Sequence, residues 1–208
     1  MNAGCCECGP EPTPGSDRKF RIVLWLALGI NLAMFAIEIG GSILAGSSAL
    51  QADALDFLTD AANYAISLSV AGLALASRAR AALVKGATMG VFGVGVLIGT
   101  AWHAVNGTIP HVELMGAIGI AALIANGAVA LMLYGYRSGE AKMRSIWLCS
   151  RNDVIGNIAV LFAALGVFGT GTGWPDFGVA IIMAGLGISG SWQIPGKLYR
   201  NSVRHAGR

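Results

Sequence analysis

Charged residues are scarce in this chain of 208 residues. Lys, Arg, Asp and Glu together make up 12% of it, whereas a soluble domain usually carries about 25%. Hydrophobic residues make up 55%, and the mean hydropathy is +0.65. This composition excludes an ordinary soluble globular domain and indicates a membrane protein.

The hydrophobic residues fall into six long stretches. A bilayer core about 30 Å thick needs a helix of about 20 mostly apolar residues. The stretches that meet this length lie at about 20–45, 49–76, 83–105, 112–135, 146–169 and 174–194. The predicted fold class is therefore all-α, a polytopic membrane protein with six transmembrane helices.

Little sequence lies outside these helices. Residues 1–18 are predicted to be a flexible, cysteine-containing N-terminal segment, residues 19–194 a single six-helix domain, and residues 195–208 a short basic tail. The N-terminus lacks the basic-then-apolar order of a secretory signal peptide, so no cleavable signal is expected.

Lys and Arg are absent from three links between predicted helices, AGSSAL, NGTIPHVE and GTGTGWPD. All 14 basic residues belong to the four segments on the other side, including Arg78, Arg80 and Lys85, which are expected in the link between helices two and three. The positive-inside rule then predicts a multi-pass protein of the cell inner (plasma) membrane with both termini in the cytoplasm. Nucleic-acid binding gets little support, because the basic residues form no single patch.

Polar residues recur along one face of the second predicted helix. At about 100° per residue, Asp53, Asp56, Asp60 and Asn63 fall within an arc of roughly 80°. Charged side chains at membrane depth are costly, and they usually mark an ion or proton path. This face therefore predicts a functional site inside the membrane.

A second polar face lies on the fifth predicted helix. Cys149 and Asp153 are four residues apart and project from the same side, and Asn157 extends the stripe by another turn. Asn152 adjoins it and could complete a ligand shell.

If these two helices face each other, four side chains surround one ion: Asp56, Asp60, Cys149 and Asp153. Three oxygen ligands and one sulfur suit a tetrahedral cation such as Zn2+, because a thiolate disfavours Mg2+ and Ca2+. The alternative is that these residues only hold helices together by hydrogen bonds, but Gly, Ser and Thr do so at a lower desolvation cost. The acids cannot all be ionised in a low dielectric without a cation, so protons and metal should compete for them.

Three further features have two interpretations each. Glu38 on the first helix could line the ion path or bond a neighbouring helix. The thiols of Cys5, Cys6 and Cys8 could bind soft metal as an accessory site, or be an incidental cluster. His103, at the outer end of the third helix, could belong to a weak external site or be a surface residue without function.

The runs SSALQADALDFLTD and WLCSRNDVIGN, which carry the two ligand pairs, resemble helices two and five of the cation diffusion facilitator family. The six-helix count, the start of helix six at Trp174-Pro175-Asp176, and Ser189 to Trp192 near its end support the resemblance, which covers about residues 20–194.

The resemblance implies a secondary active transporter and not an enzyme, with no cofactor. It implies export of Zn2+ or a related cation in exchange for protons by alternating access, usually as a homodimer. Carried over, Asp56 and Asp60 supply the first ligand pair, and Cys149 and Asp153 supply the second.

Two departures from the family pattern affect these expectations. Cys149 stands where the family usually has His, which leaves Zn2+, Cd2+, Co2+, Fe2+ and Ni2+ open as substrates. Only residues 195–208 follow helix six, so a short form without the usual C-terminal cytoplasmic domain is expected.

Dimerisation would then use membrane helices, and a glycine-rich face of helix three is one candidate surface, unless these glycines pack against the chain's own neighbours. Its members are Gly86, Gly90, Gly93, Gly95 and Gly99.

Two other function classes remain as alternatives. An intramembrane aspartyl hydrolase would place a water between Asp60 and Asp153, but it would need a peptide-sized access gap that the short-linked helices do not suggest. A passive channel would show no dependence on a proton gradient, and a structural membrane subunit would tolerate neutral residues in place of the acids.

Overall fold

A computed structural model describes residues 18–69, 75–136 and 141–189, and these residues form helices without any strand. The helices are α1 (Arg18–Ala45), α2 (Ser48–Ser69), α3 (Leu75–Asn106), α4 (Val112–Tyr134), α5 (Ala141–Thr170) and α6 (Trp174–Ser189). Within the described ranges, α1, α4 and the apolar parts of α3 and α5 are each long and apolar enough to cross a bilayer, and α6 is a shorter apolar helix. The predicted all-α membrane architecture is confirmed.

Three of the links between helices are tight turns that begin with glycine. Gly46, Gly107 and Gly171 directly follow α1, α3 and α5, with φ values of 63°, 64° and 64°. This left-handed conformation is strained for other residues, and glycine after the last helical residue is a common helix stop. At the end of α1, for example, the amide of Ser47 donates to the carbonyl of Ser42 at 3.0 Å. Consecutive helices therefore run antiparallel across these turns.

The boundary between the second and third helices differs from the prediction. The second span was expected to extend to about residue 76, but α3 begins at Leu75. Arg78, Arg80 and Lys85, expected in a link, belong to the helical backbone of α3. The reason is that Ala, Leu, Arg and Lys, which dominate the segment LASRARAALVK, are strong helix formers, so the helix continues beyond its apolar part.

Helix α2 lies at the centre of the packing. It contacts α1, α3 and α5, while α4 packs against both α1 and α5. A first core cluster draws buried residues from all six helices, including Leu50, Val96 and Met115. A second cluster joins α1, α2, α4 and α5 around Leu24 and Tyr64. Between the clusters lie the buried polar side chains discussed below.

The exterior of the bundle is apolar, as expected for a surface in contact with lipid. The most exposed large side chains include Leu44, Val105 and Phe168, which are 73%, 87% and 79% exposed. Such a continuous apolar surface would be unusual on a soluble monomer.

The glycines of α3 are partly used within the chain. A Cβ atom at Gly93 would come within 2.8 Å of the Ile188 side chain on α6, and one at Gly99 would lie 3.4 Å from the Gln51 side chain on α2. Gly95 has no such neighbour within 4 Å. Close packing against α6 therefore accounts for Gly93, whereas a Cβ atom at Gly99 would make an ordinary van der Waals contact.

Several predictions concern residues outside the described ranges. These are the cysteine cluster Cys5, Cys6 and Cys8, the end of the sixth predicted span at 190–194, and the basic tail at 195–208.

Candidate metal site

The polar faces of α2 and α5 lie against each other in antiparallel register. Near the outer ends, the Asn157 amide on α5 donates to the Asp53 carboxylate on α2 at 2.6 Å. One turn inward, the Asp56 carboxylate would lie 4.0 Å from a Cβ atom placed on Gly156. As the residue number rises along α2 it falls along α5, and these contacts bring Asp60 level with Asp153, while Asp56 and Cys149 lie about one turn to either side of that level.

A hydroxyl pair joins the two helices at their inner contact. The Tyr64 hydroxyl on α2 donates to the Asp60 carboxylate at 3.1 Å and lies 2.8 Å from the Ser150 hydroxyl on α5. Tyr64 has only one hydroxyl hydrogen, so Ser150 is the donor in the second bond. Asp60 is thereby held by a side chain that is itself anchored to the helix bearing Cys149 and Asp153.

The four predicted ligands differ in their burial. Asp60 and Cys149 are each 6% exposed, while Asp56 and Asp153 are half-buried. Asp153 precedes Asn157 by four residues on α5, and Asn157 bonds to Asp53, so Asp153 belongs to the side of α5 that faces α2. The site is therefore shielded from bulk water but not sealed.

In this conformation the described residues contain no group of three or more His, Cys, Asp and Glu side chains close enough to hold one metal ion. The structure brings the two faces together without closing the four ligands around a point. The four-ligand set remains a prediction.

A second polar network lies nearer the N-terminal end of α2 than these ligands. Asn126 on α4 donates to the Asn157 carbonyl at 2.9 Å, and Asn157 donates in turn to Asp53. Glu38 on α1 neighbours Asp53 closely enough for the two carboxyl groups to hydrogen-bond. The network thus links four helices, and its members are at most 3% exposed. Glu38, Asp53 and Asn157, predicted as pathway residues, meet here. Asn63 and Asn152, predicted with them, are half-buried residues of α2 and α5.

The outer end of α2 is capped by a residue from another helix. Asp176, which is 0% exposed near the start of α6, accepts hydrogen bonds from the Ser47 hydroxyl at 2.6 Å and from the amides of Ser48 and Ala49 at 2.8 and 3.1 Å. A carboxylate at a helix N-terminus satisfies otherwise unpaired amides and interacts favourably with the helix dipole. The Ser48 hydroxyl also lies 3.2 Å from the His103 ring, so His103 takes part in a structural contact.

Sequence reasoning did not identify Tyr64, Ser150 or Asn126. Tyr64 could have been found, since it follows Asp60 by four residues and continues the same face of the helix. Ser150 and Asn126 gave no comparable signal, because single uncharged polar residues are ordinary in membrane helices.

Comparisons with known proteins cover most of the chain. Residues 24–197 match the family model described as the cation efflux transmembrane domain. The chain is 25% identical over 195 residues to the metal cation efflux system protein CzcD of Cupriavidus metallidurans, covering 87% of this chain and 58% of that protein. It is 28% identical over 195 residues to the zinc transporter ZitB of Escherichia coli, covering 86% of this chain and 61% of that protein. The chain spans about three-fifths of the length of the curated relatives it matches.

Proposed function

The chain belongs to the cation efflux family through its transmembrane domain, and we propose that it exports divalent transition-metal cations from the cytoplasm in exchange for protons. It would be a secondary active transporter and not an enzyme. The observation that supports the proposal is the antiparallel contact of α2 and α5, which brings two polar faces together inside an apolar bundle with Asp60 and Asp153 at one level.

The proposed substrate site consists of Asp56 and Asp60 from α2 and Cys149 and Asp153 from α5. Three carboxylates and a thiolate would give a tetrahedral site for a cation of the zinc type. Zn2+ is the first candidate, supported by the similarity to a zinc transporter, and Cd2+, Co2+, Fe2+ and Ni2+ are further candidates because of the thiol. A shift of α2 along α5 by about one helical turn would bring all four ligands around the ion.

Protons provide the counter-substrate in this proposal. Buried carboxylates that are close together cannot all remain ionised when no cation is present, so each departing metal ion is replaced by protons. A site that opens alternately to the two faces would load metal inside and release it outside as protons bind. The inward proton gradient would then drive export.

We also propose an orientation of the chain in the membrane and a surface for homodimerisation. With both termini in the cytoplasm of the plasma membrane, Asn63 would lie on the cytoplasmic side of Asp56 and Asp60, and Asn152 would lie between the levels of Cys149 and Asp153. Homodimerisation through the membrane helices would use the apolar outer surface of α3, where Gly95 and Val91 are exposed.

Uptake by reconstituted vesicles tests the proposal. The full chain is placed in proteoliposomes with an acidic interior, and Zn2+ entry and internal pH are followed with separate dyes. We expect Zn2+ uptake coupled to alkalinisation of the interior, and loss of uphill uptake when an ionophore collapses the proton gradient. Zn2+ entry that is equally fast with and without the gradient would contradict exchange and favour a channel.

A further inference from the structure

The strongest unassigned feature is a pair of acids outside the proposed ligand set. Glu38 on α1 and Asp53 on α2 are 0% and 1% exposed, and their carboxyl groups lie within hydrogen-bonding range of each other. If both were ionised, no hydrogen would lie between them, and both Glu38 oxygens would be buried without a donor. Burying a charge in that state is very costly.

One proton placed between the two carboxyl groups removes this cost. A single proton on the pair turns the contact into a carboxylic acid that donates to a carboxylate. The second oxygen of Asp53 is occupied, since it accepts from the Asn157 amide at 2.6 Å, and Asn157 is fixed in turn by Asn126. Asp53 is therefore placed to accept a hydrogen bond from Glu38, and the proton is bound to Glu38.

The surroundings of Glu38 are acidic or neutral. Helix α2 presents Asp53 and Asp56 to it, while the network residues on α4 and α5 are the neutral amides of Asn126 and Asn157. Within the described residues no basic side chain is among the groups that act on Glu38. A proton is thus the positive charge available to the pair.

We propose that Glu38 and Asp53 form a proton-binding site that holds one shared proton and releases it to water when metal binds at Asp56. The inference rests on the proposed function and assigns one of the exchanged protons to a site other than the metal ligands.

The coupling is electrostatic. Glu38 interacts with Asp56, which lies one turn from Asp53 on α2. While Asp56 is unliganded, its negative charge favours a proton on Glu38; a divalent cation bound there cancels that charge and repels the proton. Release of the proton reduces the net positive charge brought into the membrane interior, which makes metal binding less costly.

Proton counting tests the inference on the purified full chain in detergent. Zn2+ binding is measured by titration calorimetry in buffers of different ionisation enthalpy, which gives the number of protons released per Zn2+. Glu38→Gln keeps a donor for Asp53 but has no proton to release. We expect this variant to bind Zn2+ and release about one proton fewer than the wild type. For each pH unit, the factor by which its Zn2+ affinity changes should therefore be about ten times smaller than in the wild type.

A proton shared by the two carboxyl groups also predicts how proton release should differ between single and double variants. Asp53→Asn should also lose one proton, and the double variant should lose no more than either single variant, because the two carboxyl groups hold the same proton. Glu113→Gln, the same chemical change at an exposed site on α4, is the control and should match the wild type. Infrared difference spectra with and without Zn2+ should show a smaller loss of the protonated carboxyl band in Glu38→Gln than in the wild type, because the metal ligands still lose their protons and the pair has none to lose.

The outcomes separate the inference from the proposed function. Equal proton release by Glu38→Gln and the wild type, losses that add in the double variant, or an equal loss of the carboxyl band in Glu38→Gln and the wild type would overturn the inference alone. Absence of Zn2+ binding or of any proton release by the wild type would overturn the proposed function, and the inference with it.

Discussion

At the residue scale, Asp60 is the proposed ligand whose surroundings are most fully defined. It is buried and accepts the Tyr64 hydroxyl, which is itself fixed to Ser150. We expect Asp60→Ala to abolish Zn2+ transport in proteoliposomes, and Asp153→Ala to do the same. Because a buried acid is removed, thermal stability in detergent should hold or rise.

We expect Asp53→Asn to reduce Zn2+ transport less than Asp60→Ala or Asp153→Ala does. Asp53 lies one turn outward of the ligands, and an asparagine can still accept from Asn157, so this variant should retain Zn2+ binding. Unimpaired uptake by Asp60→Ala or Asp153→Ala, with protein correctly inserted, would remove that residue from the ligand set.

Cys149 should determine the preference among metals. A thiolate is a softer ligand than imidazole, so Cys149→His should shift preference from Cd2+ toward Zn2+ or Co2+ and keep transport, whereas Cys149→Ala should weaken binding of all three. Competition between ions is measured for wild type and both variants at a single pH, since each ligand must lose a proton before it binds. If Cys149→Ala keeps wild-type affinity for every ion, the buried thiol only fills space, and Asn152 becomes the candidate for the fourth ligand.

At the element scale, the contact between α2 and α5 depends on the hydroxyl bridge from Tyr64 to Ser150. Interhelical hydrogen bonds in membranes contribute about 0.6 kcal/mol on average. We expect Tyr64→Phe to lower unfolding free energy in bicelles by about this amount and to weaken Zn2+ binding, because Asp60 loses the donor that orients it. Tyr136→Phe, the same change on a tyrosine that packs against Phe20, is the control. Unchanged Zn2+ affinity in Tyr64→Phe would show that the bridge does not position the ligand.

The sequence alone was sufficient to predict the helices and the two acidic faces. Acids such as Asp56 and Asp60 stand out in an apolar helix because their burial is costly, and helical periodicity places them on one side. The role of Ser150 could not be predicted, since it depends on the register between α2 and α5, which no local pattern encodes. The start of α3 was misjudged for a different reason: Arg78 and Arg80 mark the membrane boundary, but a helix can continue past it.

At the scale of the whole molecule, polar groups form two layers inside an apolar bundle. The inner layer holds the proposed metal ligands, and the outer layer joins α1, α2, α4 and α5 through Glu38, Asp53, Asn126 and Asn157. Farther outward, Asp176 ties α6 to the start of α2. Because α2 belongs to all three contacts, movement of this one helix would affect the metal ligands and the acid pair together.

The central claim is that the faces of α2 and α5 form one site with three oxygen ligands and one sulfur. X-ray absorption at the zinc edge measures this shell directly, using the full chain with Cys5, Cys6 and Cys8 changed to Ser so that Cys149 is the remaining thiol. The account predicts a four-coordinate ion with one sulfur at about 2.3 Å and three oxygens at about 2.0–2.2 Å. A shell of oxygen or nitrogen alone, or one with six ligands, would contradict it.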